Sequence, residues 1–314
     1  EDHESVLVVC ISSMTDAAAF LRNNERLFAD KVHSVTIMGG VDLNKKDHEL
    51  VVTTPSTPTQ SSPAPKASAP KAEAPEAKLP QAAAAPSDRT GSPSGESDGG
   101  YATPIMPDTA NNNTFDMPAA IFLYTRLQEL NIKVNVLTRF AAYGCPLPRD
   151  IYDEMQATGS PIALRLFDVQ RKSIEELWKR CNSTGEARRG LPPRCSKEWY
   201  MKTFLGGQGA DRSLDDSIWD LVVHFNMYDP MALILAVPPL AWIFFDNTSS
   251  RVKIDEDKVQ MRVIGVGPDK PDIKRPDVLR GFMLENLREG VERPIRIERQ
   301  SATSTDGQRK MSRN

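Results

Sequence analysis

The tetrapeptide Met227-Tyr228-Asp229-Pro230 is the part of this sequence best equipped for chemistry. Proline suits the first position of a helix, where its missing N–H is no loss, and an aspartate just before it can accept from the free N–H groups of the first turn. A carboxylate fixed at the start of an apolar helix can equally hold a metal ion or a polar ligand. Cap and ligand both remain open on these residues alone. A second cluster is Asn111-Asn112-Asn113. Carboxamides both donate and accept, which suits neighbouring hydroxyls on a sugar. A turn with asparagines in left-handed conformations accounts for the same three residues.

Other chemistries lack their residues. Gly39-Gly40 and Gly206-Gly207 stand without the remaining members of a phosphate loop, and no Gly-x-Ser-x-Gly or His-Glu-x-x-His pattern occurs. His3, His33, His48 and His224 lie in unrelated contexts; His33 and His224 alternate with apolar neighbours as core or sheet-edge residues do. Asp215-Asp216 and Asp255/Asp257 sit in polar stretches and read as caps or solvated carboxylates. Cys10, Cys145, Cys181 and Cys195 have no zinc-site spacing; Cys181 and Cys195 flank one polar loop and can pair if oxidised, but reduced, partly buried thiols are the expectation.

The elements that must position these residues follow from hydrophobic periodicity. Ser5–Val9 reads as a buried parallel strand, Ala17–Phe28 as a helix facing the core with Ala17, Phe20, Leu21 and Leu27, and Val32–Met38 as a second strand closed by Gly39-Gly40. Strand, helix, strand in that order favours parallel pairing. Met117–Leu130 reads as a helix capped by Asp116, Lys133–Leu137 as a strand, and Arg149–Ala157 as a helix. Pro161–Cys181 reads as a long helix with Ile162, Leu166, Val169, Ile174, Leu177 and Trp178 inward. In Ser196–Phe204 the side chains of Trp199, Tyr200 and Phe204 either pack or close over a site. Met231–Val237 carries no charge and is a core helix, Arg251–Ile254 and Val259–Ile264 are strands, and Asp277–Glu289 is an amphipathic last helix, with fraying beyond Pro294.

The fold class is therefore α/β, a mostly parallel open sheet flanked by helices. Its parts are 1–52, an insertion at 53–107, the remainder of the domain at 108–290 and a flexible tail at 291–314. The insertion is rich in Pro, Ala and Ser with almost no large apolar side chain, and cannot bury enough surface to offset its ordering entropy. A chain of 314 residues can bury a core, and a net charge of −3 gives no electrostatic footprint for nucleic acid or an anionic membrane. The Met231–Phe245 run is too short to span a bilayer and Pro238-Pro239 interrupt it. No targeting segment is visible, so a cytoplasmic location is the expectation, with homo-oligomerisation left open.

Three separated segments together resemble one family, the calcium-dependent nucleoside hydrolases of the inosine/uridine-preferring type. Val6–Val41 resembles the family's strand, turn, helix and second strand ending in Met-Gly-Gly. Asn111–Leu130 resembles the segment where an asparagine precedes an Asp-Pro-Glu-Ala-Ala helix, here N-N-N-T-F-D-M-P-A-A, and Met227–Pro238 is similar to the late His-Asp-Pro helix. The resemblance spans roughly Val6–Gly290 without the insertion. It implies hydrolysis of the N-glycosidic bond of a ribonucleoside, with Ca2+ holding the ribose hydroxyls and the attacking water. It places Asp229 as a calcium ligand, the main-chain oxygen of Ile11 as another, Met38 against the ribose, and Asn112 on the sugar, with Asn111 or Asn113 within one residue. Tyr228 stands where many members have a histidine that helps the base depart; a phenol is the weaker acid.

The sequence departs from the family in one large respect. The aspartate-rich D-x-D-P-G-x-D-D signature, source of most calcium carboxylates and of the water-activating aspartate, does not occur, and its natural place lies upstream of Glu1. Ala110 also takes the place of a ribose-binding glutamate. The first strands of the family sheet are then missing, and a piece of a longer chain, weakly active or inactive as it stands, is the favoured expectation. The alternative is a non-catalytic nucleoside-binding or scaffold relative.

Overall fold

The computed structural model describes residues 3–42, 50–51, 105–246, 251–255 and 258–311. The insertion expected at 53–107 lies outside these residues except for its last three.

Strands β1 (Val6–Cys10) and β2 (Val32–Met38) are joined through helices α1 (Thr15–Asn23) and α2 (Glu25–Lys31). After β3 (Leu50–Val51) come α3 (Asn111–Thr114), α4 (Met117–Glu129), β4 (Lys133–Leu137) and α5 (Arg139–Tyr143). A helical region follows: β5 (Leu147–Pro148), α6 (Asp150–Ala157), α7 (Pro161–Cys181), α8 (Lys197–Phe204) and β6 (His224–Phe225). Helices α9 (Tyr228–Ala236) and α10 (Pro238–Phe244), the β7 (Arg251–Asp255) and β8 (Lys258–Ile264) hairpin, and α11 (Pro276–Met311) complete the described chain. The main sheet has the order β1-β2-β4-β8-β7-β3, with β1, β2, β4 and β8 parallel and β7 and β3 antiparallel at one edge. This is the mostly parallel α/β architecture read from the sequence.

Helices cover both faces of the parallel strands. On one face Leu21, Phe28, Leu123 and Leu127 pack against Val35, Ile37 and Val134. On the other, Met231, Leu235 and Phe244 pack against Leu137 and Ile264. A further apolar cluster, with Phe167, Trp178, Tyr200 and Trp219, ties α6, α7 and α8 together. Cover on both faces is why β2 is buried almost throughout, Ser34 and Thr36 as well as Val35 and Ile37.

Several elements differ from the sequence reading. β1 lies at the edge of the sheet, and Val6 and Leu7 are exposed rather than buried. The helix expected over Ala17–Phe28 breaks at Asn24, whose backbone (φ −137°, ψ 37°) is not helical. The break turns Phe28 into the core and leaves Phe20 and Leu27 outside. On α7 the buried stripe is Ala163, Phe167, Ile174, Trp178 and Cys181, so Ile162, Leu166 and Val169 face solvent; the aromatic ring at 167 sets the phase over the branched aliphatics. Pro238-Pro239 open α10 instead of merely interrupting a run. The last helix does not end near Glu289 but continues through Pro294 to Met311. Arg296 spans the proline by holding Glu289 at 2.6 Å and Glu292 at 3.1 Å. All four cysteines are free thiols.

The last residues of the expected insertion belong to the fold. Ile105 is fully buried, its N–H donating to Oε1 of Gln128 and its carbonyl accepting from Nε2 of the same side chain, both at 2.9 Å. Met106 and Asp108 then bond to Asp42 and Gly40 at 3.0 and 3.1 Å, laying residues 106–108 along the end of β2.

Candidate functional site

Parallel strands finish at a common edge, and the crevice outside that edge is where α/β folds bind ligands. Here β1 delivers Ile11, β2 delivers Met38 and Gly39, and β4 delivers Arg139 at the start of α5. All of them line one cavity of about 330 Å³, near the lower end of the range of about 300–1,000 Å³ usual for small-molecule sites. Asn111 and Asn112 reach it from α3, Tyr143 from α5, Tyr228 and Asp229 from α9, and Arg194, Cys195, Trp199 and Phe204 from the helical region.

The polar wall is built on the Met38-Gly39-Gly40 turn. Asn112 donates from Nδ2 to the Met38 carbonyl at 3.0 Å, which fixes the carboxamide beside the end of β2. Asn113 is fully buried on the other side of the turn. Its Nδ2 donates to the Gly40 carbonyl at 2.9 Å and to the Asp108 carbonyl at 3.2 Å, and Tyr124 donates to the Gly40 carbonyl at 3.3 Å. Neither glycine has room for a side chain. A Cβ on Gly39 would stand 3.0 Å from both Asn113 Oδ1 and the Tyr124 hydroxyl, and one on Gly40 would run into the Asp108 carboxylate. The Gly-Gly pair thus lets these polar groups close on the backbone.

Asp229 lies in the first turn of α9, as the second residue of the helix rather than the residue before it. The N-cap reading therefore does not hold, because the helix starts at Tyr228 with Met227 as its cap residue. The Asp229 carboxylate is accessible in the cavity, yet the protein around it withdraws water and raises its pKa. Burial pushes the Tyr228 phenol far above its ordinary value, reinforced by the adjacent Tyr143 hydroxyl, so it stays protonated. The Tyr143 and Tyr228 rings meet edge-on with centroids 6.4 Å apart. Cys195 is buried and its thiol is raised by that burial, so it is no ready nucleophile.

Ile11, Met38, Asn111, Asn112, Tyr228 and Asp229 are thus brought together, whereas Asn113 supports the wall from behind. Trp199 and Phe204 line the site, but Tyr200, between them, turns into the core and donates to the Ile174 carbonyl at 2.8 Å. Arg139, Tyr143 and Arg194 were not marked by the sequence. Arg139 was findable, because it follows β4 at the same carboxyl edge; nothing local signals Arg194. Among the described residues no group of three or more His, Cys, Asp or Glu side chains is placed to hold a metal ion.

No family model matches the chain, and no curated protein matches it either. Among solved structures it is similar to the effector protein XOO4466, at 26% identity and a TM-score of 0.58 over 92% of this chain and 60% of that one. It is equally similar to the type III effector XopQ in complex with adenosine diphosphate ribose, at 26% identity and a TM-score of 0.58, covering 92% of this chain and 61% of that one. The chain therefore spans about 60% of the length of the first of these structures and has the nucleoside hydrolase-like α/β fold they share.

Proposed function

We propose that this chain recognises the ribose of a nucleoside-type ligand in the cavity at the carboxyl edge of its sheet, and that N-glycosidic hydrolysis in it is slow or absent. The observation that carries the reading is the convergence of Ile11, Met38, Asn111-Asn112 and Tyr228-Asp229, far apart in sequence, on one cavity. The similar XopQ structure holds a ribose-bearing ligand, adenosine diphosphate ribose.

Each residue has a role suited to its environment. Asn112, anchored through Nδ2, keeps its carboxamide oxygen to accept from a ribose hydroxyl. Asp229 accepts from the neighbouring hydroxyl, and Met38 packs its thioether against the sugar. Tyr228, held neutral, donates a hydrogen bond toward the base. Calcium is less well served. A hard cation takes about six to eight oxygens, and the cavity offers Asp229 as its one carboxylate together with the main-chain oxygen of Ile11. These residues by themselves do not fit a calcium ion. With Asp229 engaged by the sugar, no second carboxylate among the cavity residues remains to activate water.

Calorimetry with inosine, uridine and adenosine, beside a ribose-release assay with and without added Ca2+, tests the reading. Binding that weakens about tenfold or more in both Asn112→Ala and Asp229→Ala is expected, with little ribose released. Nucleosides that bind equally well to both variants would overturn the assignment of the site, and rapid ribose release would overturn the non-catalytic half of it.

A further inference from the structure

Leu191, Pro192, Arg194 and Cys195, on the loop between α7 and α8, form one wall of the cavity. The backbone bonds donated by residues 189–195 do little to hold that wall. They reach only carbonyls three residues back, as Arg189 to Glu186, Leu191 to Arg188 and Cys195 to Pro192. Pro192 and Pro193 have no N–H to give, so the stretch presents carbonyls that need a donor from elsewhere.

One side chain supplies it. Arg188 is half-buried just ahead of the wall and does not itself line the cavity. Its Nη1 donates to the carbonyl of Cys181, the last residue of α7, at 3.3 Å. Its Nη2 faces the carbonyls of Pro192, Pro193 and Cys195 at 3.4, 3.1 and 2.9 Å. Four backbone carbonyls thus share one guanidinium, whereas Arg180, Arg212 and Arg280 each hold a single one. These bonds join the end of α7 to the residue before Ser196, the cap of α8. A planar fork with fixed donors can serve both ends of a loop at once, which a single ammonium cannot. The wall also acts on the site: burial raises the Tyr228 phenol, and the Arg194 charge works against that rise.

We infer that Arg188 is a positioning residue of the cavity. Without touching the ligand, it draws the 191–195 wall into place by tying the end of α7 to the start of α8, and ligand affinity depends on its guanidinium fork. The inference rests on the ribose reading above for the identity of the ligand, but the state of the wall can be read without one. Cys195 is the reporter, because it is buried in the wall while Cys10 and Cys145 are buried elsewhere in the fold.

Alkylation of the full chain by N-ethylmaleimide is followed cysteine by cysteine with mass spectrometry, beside calorimetry with adenosine, in the wild type, Arg188→Lys and Arg188→Ala. In Arg188→Ala, Cys195 is expected to react at least about tenfold faster than in the wild type, and adenosine to bind about tenfold more weakly. Cys10 and Cys145 are expected to keep their wild-type rates. Arg188→Lys is expected to fall between the two in both readouts. Added ethylguanidinium is expected to restore both readouts in Arg188→Ala, and ethylammonium to restore neither. A Cys195 as protected in Arg188→Ala as in the wild type, or an adenosine affinity indifferent to the substitution, overturns the positioning role. Should Arg188→Ala react faster at all three cysteines alike, the whole fold has opened and Arg188→Lys decides: a gain confined to Cys195 supports the role, and wild-type behaviour overturns it. Failure of the ribose reading looks different: the wild type would not bind adenosine, while the selective gain at Cys195 still upheld the tie between α7 and α8.

Discussion

Gln128 offers a sharp test of how the site is held, because one side chain secures the segment just ahead of Asp108 and Asn112. Both backbone groups of Ile105 are buried and both are satisfied by Gln128, at 2.9 Å each. Replacing Gln128 with leucine keeps the apolar volume and removes both partners. Each orphaned buried group costs about 1–3 kcal/mol, so Gln128→Leu is expected to destabilise the protein by about 2–4 kcal/mol after the gain from the added apolar surface. For a fold of this size that corresponds to roughly 6–12 °C in Tm at the middle of the range. The damage is also directional. Residues 106–108 run from this clamp along Asp42 and Gly40 to Asn112, so ligand affinity falls with stability. Thermal and urea denaturation followed by circular dichroism, with calorimetry at a temperature where the variant is folded, supply the readouts. Gln128→Glu is the control. Protonated, its carboxyl can both accept from the Ile105 N–H and donate to the Ile105 carbonyl; ionised, it can only accept. Burial raises the folded pKa of such a group, so its stability is greatest at acid pH and is lost as pH rises through that folded value. A Gln128→Leu variant within about 1 kcal/mol of wild type, or a Gln128→Glu variant indifferent to pH, would refute the clamp.

Three further outcomes are expected. Gly40→Ala drives a methyl group into the Asp108 carboxylate and should cost about 1–3 kcal/mol, lowering Tm and ligand affinity together; an unchanged melt would show that Asp108 yields freely. Asp229→Asn removes a carboxylate whose folded pKa is raised by desolvation. The wild-type group favours the fold most below its unfolded pKa and loses that advantage as pH rises through the folded value, so the variant should gain in Tm at pH 7 relative to pH 4 while losing ligand affinity; a Tm difference independent of pH counts against it. Phe167→Ala should cost about 3–5 kcal/mol in urea titrations, whereas Leu166→Ala, on the exposed face, should stay within about 0.5 kcal/mol; equal losses would mean that the phase of α7 is wrong.

Much of the fold was legible because it is encoded locally. Val32–Met38, Lys133–Leu137 and Pro161–Cys181 have the very limits their periodicity gives. Asp116 caps α4 by accepting from the Ala119 N–H at 3.1 Å, as an aspartate ahead of a Met-Pro start should. What failed was the choice among equivalent apolar faces, as on α7, and the break at Asn24, where the helix pattern alone shows no interruption. Asp229 and the Asn111-Asn112-Asn113 cluster were legible as candidates from their own chemistry beside a helix start, whereas Met38, and Asn112 within the cluster, were marked only by the family resemblance.

The order and type of elements, the parallel strand–helix–strand beginning and the polar identity of the candidate residues follow from the sequence alone, since capping, periodicity and side-chain chemistry act within a few residues along the chain. Only the tertiary structure decided that Asn112 faces the cavity while Asn113 is walled in behind it, that β1 takes the sheet edge, and that Arg139 and Arg194 converge on one space. Those outcomes depend on which strand ends lie side by side and on which loop folds over them. Contacts between residues far apart in the chain set both, and no local pattern records them.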